Sequence, residues 1–434
     1  MKIVTPLKTL LLFSLFCFSS IGANTHLLTL DALIALSLKH SPDIDSSRFD
    51  FEGARQRIKV AEGFYLPSVE MQADMGKQYN GFQEGDSRNI DLLTGTLGAS
   101  QLLYDFGKTE GLIGSAKEEA LAYQAQMYQV VSDKIYRVKE AYYNVLKAKS
   151  MIDVQRQNVT LQKQQLHRAQ RYLVSGIKTI IDVSDAQVRV EQATLDLENA
   201  KYDLELRRAI LEEEIGYRPY NGVYRLYSKK LSLPNLSQKL PRIKHSLEAL
   251  EVFAYTHRYV LEGSEHIMKS AQSKVKTFEG DYYPTLSVGA TYTAQHIDKS
   301  MVAMQPEREG QVALQMNWNL FSGYQTDAKV QEAKIAVLKA SSQHQSLRLA
   351  IKRQVVDSHI GVRRSRKNVQ LSESIAKASL KKFEQAQKRY ENDLSDYVEL
   401  QDAQQGYIRA LSGLVTTYYD YYIALAQLDH SIGR

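Results

Sequence analysis

Residues 65–75, Tyr65-Leu-Pro-Ser-Val-Glu-Met-Gln-Ala-Asp-Met75, alternate apolar and polar side chains behind a proline. A shift of 217 carries Tyr65 onto Tyr282, and Tyr282-Tyr-Pro-Thr-Leu-Ser-Val-Gly-Ala-Thr-Tyr292 does the same. A period of two marks a strand whose two faces meet different surroundings. Working outward at the same shift, Leu30-Asp-Ala-Leu33 meets Leu247-Glu-Ala-Leu250 and His40 meets His257. Further on, Asp182-Val-Ser-Asp-Ala-Gln187 meets Glu399-Leu-Gln-Asp-Ala-Gln404, and Glu214-Ile-Gly216 meets Ser431-Ile-Gly433. Collinear matches all the way from Leu30 to Gly216 identify an internal tandem repeat. Three prolines (219, 234, 241) mark residues 217–245 as the connector between the copies.

Each copy, 24–216 and 246–434, reads as short helix, strand, loop, strand, long helix, turn and medium helix. The expected elements are a helix at 31–64, strands at 66–77 and 91–104, and helices at 107–173 and 179–215. In the second copy they are a helix at 246–280, strands at 284–295 and 311–321, and helices at 323–390 and 396–431. The long helices contain no proline and keep a heptad: Val131, Val138, Val145, Ile152, Val159, Leu166 and Leu173, then Val355, Val362, Val369, Ala376, Phe383 and Tyr390. About 66 residues at about 1.5 Å each make a rod of roughly 100 Å, with two shorter helices stacked end to end beside it. Asp105 and Ser322 are expected N-caps, Ser322 to Gln325 fitting a capping box. The polar stretches Tyr79–Asp86 and Ser300–Gly310 are expected to close the two hairpins.

The strands are about ten residues long, enough to cross a bilayer when tilted. Tyr65, Phe106, Tyr282, Trp318 and Phe321 gather at one end of them, as a membrane-interface girdle would. A sheet packed on a soluble core is the alternative, but the opposite face carries Glu, Gln, Asp, Asn and Thr, which suits a watery lumen. Two copies supply four strands, too few to close a barrel, and an open sheet in lipid leaves its edges unsatisfied. The arithmetic therefore asks for an oligomer.

Residues 1–23 read as a secretory signal peptide, with Lys2 and Lys8, an apolar run Leu10–Phe18 too short to span a membrane, and small residues before Ala23. The chain's single cysteine, Cys17, would leave with it, and with it any disulfide or thiolate chemistry. A formal charge of +6 does not call for nucleic acid, and the run Arg363-Arg-Ser-Arg-Lys367 fits a solvated coiled-coil face. The ten histidines are scattered, with no metal-ligand spacing and no nucleophile or phosphate-loop motif, so no enzyme, cofactor or metal is expected.

The repeat, the Tyr-x-Pro-Ser/Thr strand entries, the Phe106-Gly107 and Phe321-Ser-Gly323 strand exits and the Asp182–Gln187 motif together resemble the TolC-like outer-membrane efflux and secretion channels. The resemblance covers nearly all of the chain after residue 23. It implies a mainly α protein with a small transmembrane β part, a trimeric 12-stranded β-barrel continuous with a 12-helix periplasmic α-barrel. It implies a homotrimer in the outer membrane of a Gram-negative bacterium, in contact with outer-membrane lipid. Its partners would be a periplasmic adaptor and an inner-membrane ABC or proton-driven transporter. Residues 217–245 would belong to an equatorial belt.

The inter-helix turns would form the periplasmic tip, with Ser175, Gly176, Asn392 and Asp393 docking the adaptor. Glu399, Asp402, Asp182, Asp185 and Tyr390 would form the constriction, three-residue spacing placing each acidic pair on one helix face. An acidic helix start favoured by the macrodipole is the alternative for those carboxylates. The second turn lacks the family's Gly-x-Arg, so the tip is expected to close differently. A periplasmic coiled-coil adaptor would need flanking β-rich modules, and a trimeric adhesin a barrel at its C-terminus. The order of elements fits neither.

Overall fold

The computed structural model describes residues 26–80, 88–177, 179–227, 236–297, 308–392 and 394–434. Its elements run β1 (His26–Leu28), α1 (Leu30–His40), α2 (Pro42–Gly63), β2 (Ser68–Asn80), β3 (Arg88–Tyr104), α3 (Lys108–Val174), α4 (Ile180–Ile215), β4 (Tyr224–Leu226), α5 (Leu247–His257), α6 (Tyr259–Glu279), β5 (Thr285–Ile297), β6 (Arg308–Asn317), α7 (Gln325–Glu391) and α8 (Tyr397–Ser431). The expected signal peptide, the centres of the hairpin loops and Asp393 lie outside the described residues.

The rods α3 and α7 have 67 residues each. At about 1.5 Å per residue, each runs for roughly 100 Å. Val138, Val145, Ile152 and Val159 of α3 and every heptad position of α7 from Val355 to Tyr390 are buried. Leu166 and Leu173, towards the turn, and Val131, in the other half of α3, are only half-buried. The helices stand as four columns in the order α2 with α4, α3, α6 with α8, and α7.

Each helix expected before a first strand is in fact two. Pro42 has no N–H to continue α1, so the chain breaks at Ser41, whose N–H closes α1 on Ser37 O at 2.9 Å. The second copy breaks at Arg258 without a proline. There the backbone is extended, and the buried guanidinium donates to His430 O (3.0 Å) and Gln354 Oε1 (3.3 Å). At both breaks the upper and lower helices of a column abut. Gly216 ends α4 with φ +87° and Gly433 ends α8 with φ +85°. A Cβ on either would strike the carbonyl of His40 or His257. Position 134, on α3 beside the first junction, is Lys134, which bridges Asp43 at 2.8 Å and Glu214 at 2.9 Å. Its counterpart beside the second junction is the buried Ile351.

The two hairpins share one register. β2 pairs with β3 from Ser68↔Ser100 onward, and β5 with β6 from Thr285↔Asn317, the second pair being the first carried over by the repeat shift. β3 pairs with β5, giving a four-stranded antiparallel sheet in the order β2-β3-β5-β6. β6 begins at Arg308, inside the stretch expected as loop up to Gly310, and stops at Asn317 rather than 321. Past it, Trp318 Nε1 donates to Tyr282 O at 3.1 Å, as Gln101 Nε2 does to Tyr65 O in the first copy.

The capping box expected from Ser322 to Gln325 is replaced by a different turn. Tyr324 takes φ +63°, and Ser322 Oγ accepts from Thr326 N–H at 3.3 Å. Asp105 does cap its helix, accepting from Thr109 N–H at 2.7 Å.

The connector carries a feature with no counterpart in the sequence pattern. β4 pairs in parallel with β1, His26 facing Tyr224. The hydroxyl of Tyr142 donates to Tyr227 O and that of Tyr421 to Pro241 O, while Glu373 on α7 accepts from Ser237 N–H at 3.0 Å. Both flanks of the connector are thus fastened to the rods.

Candidate functional site: the helical tip and the strand edges

The turn from α3 to α4 closes as a helix stop. Gly176 sits at φ +71° and Ile177 N–H reaches Tyr172 O at 2.9 Å. Asp182 is the third residue of α4, and its carboxylate accepts from Thr179 N–H and Thr179 Oγ1, both at 2.9 Å. It therefore closes the capping box at the start of α4. The turn from α7 to α8 is held by Asn392 Nδ2 on Lys388 O (2.8 Å), by Leu394 N–H on Arg389 O (2.9 Å), and by Asp396, which caps α8 through Glu399 N–H (2.8 Å).

Glu399 and Asp402 do not stand bare. Arg389 reaches Glu399 at 3.4 Å and Lys382 reaches Asp402 at 2.7 Å, all four side chains solvated. The Lys382 ammonium holds the Asp402 carboxyl below the usual carboxylate range. Exposed pairs of this kind add little stability.

Tyr390 is buried between the two hairpins. Its ring centroid lies 6.5 Å from that of Tyr172 on α3 and 6.1 Å from that of Tyr397 on α8. The guanidinium of Arg168, on α3, lies 5.8 Å from the same centroid and pairs with Glu391 of α7 at 3.0 Å. A second tie runs beside it. With its amide oriented to match its neighbours, Gln401 accepts from Arg189 Nε and Nη1 at 3.1 and 2.9 Å and donates to Tyr397 OH at 3.0 Å. Burial pushes the phenols of Tyr390 and Tyr397 above their ordinary pKa. Tyr172 adds to the rise at Tyr390, and at Tyr397 the carboxylates of Asp185 and Asp182 add to it against the opposing pull of Arg189.

The structure thus gathers Tyr390, Asp182 and Asp185 around one junction and places Glu399 and Asp402 along α8 from it. Three arginines stand at this junction, Arg168 on α3, Arg389 on α7 and Arg189 on α4. Arg168, Arg189 and Arg389, with Tyr172 and Tyr397, were not singled out from the sequence. Arg168 and Tyr172, four apart on one helix face, were the available signal. Beyond the junction the end of the molecule is apolar, with Val174, Ile177, Ile180, Leu394 and Val398 exposed around Ser175, Gly176 and Asn392.

At the other end, Tyr65, Phe106, Tyr282, Trp318 and Phe321 are all exposed, Phe106 stacking on Tyr283 with centroids 5.0 Å apart. Every described side chain of β2 is exposed, Met71 and Met75 at 81% and 88%, and on β6 Val312 and Leu314 at 77% and 71%. Among the described residues, β2 and β6 each have one edge with no strand beside it. No helix there is long and apolar enough to cross a membrane, and no group of three or more metal-ligating side chains converges.

The family described as "Outer membrane efflux protein" matches residues 33–216 and 256–434. The chain is 22% identical over 442 residues to the outer membrane protein TolC of Salmonella enteritidis, covering 100% of this chain and 87% of that protein. In structure it is similar to a membrane protein from Pseudomonas aeruginosa, with TM-score 0.80, 17% identity and 93% of each chain covered. It is also similar to the outer membrane protein VceC from Vibrio cholerae, with TM-score 0.77, 15% identity, and 93% of this chain and 96% of that one covered.

Proposed function

Since the chain belongs to the outer membrane efflux protein family, whose members are transport ducts rather than enzymes, we propose that three copies form one export channel through the outer membrane and across the periplasm. The observation that carries this reading is the open sheet. A four-stranded sheet with two unsatisfied edges and apolar side chains on display is stable neither in water nor, alone, in lipid. Closure with copies of itself satisfies every edge, and three chains would supply twelve strands above twelve helical columns. The exposed aromatics fit the headgroup level, and the rods reach inward from it.

The duct has no energy source of its own. An inner-membrane ABC or proton-driven transporter would drive export of small molecules or polypeptides, joined through a periplasmic adaptor seated on the apolar tip around Ser175, Gly176 and Asn392. Glu399 and Asp402, repeated three times about the axis, would form rings of carboxylates that concentrate cations at the constriction. Tyr390, Asp182 and Asp185 would belong to the closure itself.

Extraction tests the assignment. The protein is expected to need detergent for release and to run as a trimer on gels until heated. Release by osmotic shock as a soluble subunit would reject the reading. Glu399→Ala combined with Asp402→Ala is expected to weaken block of the single-channel current by divalent cations, measured in planar bilayers. Unchanged block would remove both residues from the constriction.

A further inference from the structure

The upper parts of α3, α6 and α7 enclose a trough of about 1030 Å³, large enough for a drug-sized molecule. α6 is its floor, and the two rods, which flank α6 on opposite sides, are its walls. Phe278 stands at its membrane end and Tyr259 at its lower end, and the rise of α6 between them makes it roughly 28 Å long. Tyr259 leans on Tyr128 of α3, centroids 5.2 Å apart. Between the two ends lie Ile267, 53% exposed, and the small side chains of Ala271, Ala336 and Ala340, which leave the space open. The walls use equivalent positions. Ala122, Tyr123 and Gln126 of α3 become Lys339, Ala340 and Gln343 of α7 under the repeat shift, so both rods turn the same face to the trough. Neighbouring columns of a ring are hollow towards its axis, and within a closed ring the trough therefore opens on the lumen.

Packing of the rods does not require this lining. α2 holds the place of α6 in the first copy, and there Tyr259, Ile267 and Phe278 are matched by Pro42, Asp50 and Ala61. The apolar stripe belongs to α6 alone. The charges differ in the same way, since Lys329 and Lys339 are matched by Leu112 and Ala122. Lys274 is taken by Glu119 at 2.6 Å. Lys329, at the membrane end, and Lys339, about 15 Å along α7 from it, make no ion pair among the described residues. These three lysines stand against two lining glutamates, Glu119 and Glu332, so the trough is apolar with an excess of ammonium groups.

We propose that the trough is a transient seat for cargo in the wall of the duct, and that it takes an elongated amphipathic anion, an apolar body carrying a carboxylate or sulfonate. The inference rests on the reading of the chain as part of an export channel and adds to it a class of cargo and the residues that hold it. The apolar body lies along α6 between Phe278 and Tyr259 and leaves water there, while its acid group takes Lys329 or Lys339. Exposed ammonium groups hold a carboxylate loosely, which suits a conduit, because cargo must leave as readily as it enters. A cation of the same shape meets the surplus lysine and is not retained.

Cholate, a rigid steroid carboxylate, is the probe. Radiolabelled cholate below its micellar concentration, equilibrated with the protein in lipid nanodiscs and corrected against empty nanodiscs, is expected to bind saturably with one molecule per chain. Ala336→Trp fills the trough from an exposed position and should abolish saturable binding. Lys329→Gln with Lys339→Gln should weaken it about tenfold. The N-(2-aminoethyl)amide of cholate, a cation on the same steroid, should show no saturable binding. Binding that survives Ala336→Trp unchanged, or a cationic amide held as tightly as cholate, would overturn the proposal. Absence of saturable cholate binding by protein that runs as a trimer on unheated gels would overturn the site and leave the duct standing. Monomers on unheated gels would remove the duct, and with it the lumen on which the trough opens.

Discussion

Lys134→Met will lower the midpoint of thermal unfolding in detergent by roughly 5 °C, the largest effect expected of any single polar side chain in the rods. Lys134 lies on α3 where the lower end of α2 meets the upper end of α4, its side chain 6% exposed, between Asp43 at 2.8 Å and Glu214 at 2.9 Å. Methionine keeps the length and removes the charge. Glu214 is then left as a largely enclosed carboxylate without a cation, which costs about 3 kcal/mol in comparable sites. Asp43 is more than half solvated and contributes less. The second junction supplies the reciprocal experiment. Ile351 is 1% exposed, and the positions matching Asp43 and Glu214 are Val260 and Ser431, so Ile351→Lys places a cation where no carboxylate waits. It is expected to destabilise more than Lys134→Met. Equal midpoints for Lys134→Met and the unsubstituted protein would show that the column junction holds through Gly216 and its neighbours alone.

The pH dependence of the same clamp has a definite sign. The hydrogen bond and charge of Lys134 hold the Asp43 carboxyl below its ordinary pKa, so its contribution is complete above about pH 4 and disappears as pH falls through the depressed value. Burial works against the charge of Lys134, but its bonds to Asp43 and Glu214 outweigh burial and raise its pKa. Its contribution is complete below about pH 10 and is lost only as pH rises through the raised value. The stability difference between the native chain and Lys134→Met should therefore be flat from about pH 5 to 9 and shrink in acid. A difference that grows on acidification would contradict the assignment.

The rods, the hairpins and the stacking of two shorter helices beside each rod were legible because they rest on periodicity: heptads without proline, alternation along each strand, and one shift relating both halves. What stayed hidden depends on side chains meeting across long sequence distances. Pro42 advertises the first helix break, whereas Arg258 breaks its helix for partners on α7 and α8 that lie 96 and 172 residues away. The short strands β1 and β4 span too few residues for any period to declare them. At the tip, acidic pairs three apart could be read off one helix, but whether each carboxylate caps, pairs or faces the axis could not. Asp182 turns inward to its own cap, while Glu399 and Asp402 meet cations of α7. Arg168 went unnoticed because its partner Glu391 is 223 residues on, at the end of α7.

That arginine carries the last prediction. Arg168 joins α3 to the end of α7 twice, through Glu391 at 3.0 Å and through the face of Tyr390 at 5.8 Å. If the two hairpins must part for cargo to pass, this is a latch on the closed tip. Removing it by Arg168→Met should favour the parted state by about 1.4 kcal/mol, an allowance for one charge-assisted contact with a half-solvated partner. That free energy is about tenfold in the frequency of wide openings seen in planar bilayers, and cells carrying the variant should become sensitive to large hydrophilic antibiotics. The nature of the Tyr390 contact is separable. Burial raises the Tyr390 phenol above its ordinary pKa, so the ring meets Arg168 uncharged near neutrality and the attraction belongs to the ring face. Tyr390→Phe should therefore leave opening frequency close to native, whereas Tyr390→Leu should raise it. Glu399→Ala with Asp402→Ala should alter divalent block without altering opening, since neither residue touches Arg168. Native opening frequency in Arg168→Met would move the latch to the Arg189, Gln401 and Tyr397 tie, which Arg189→Met would then release.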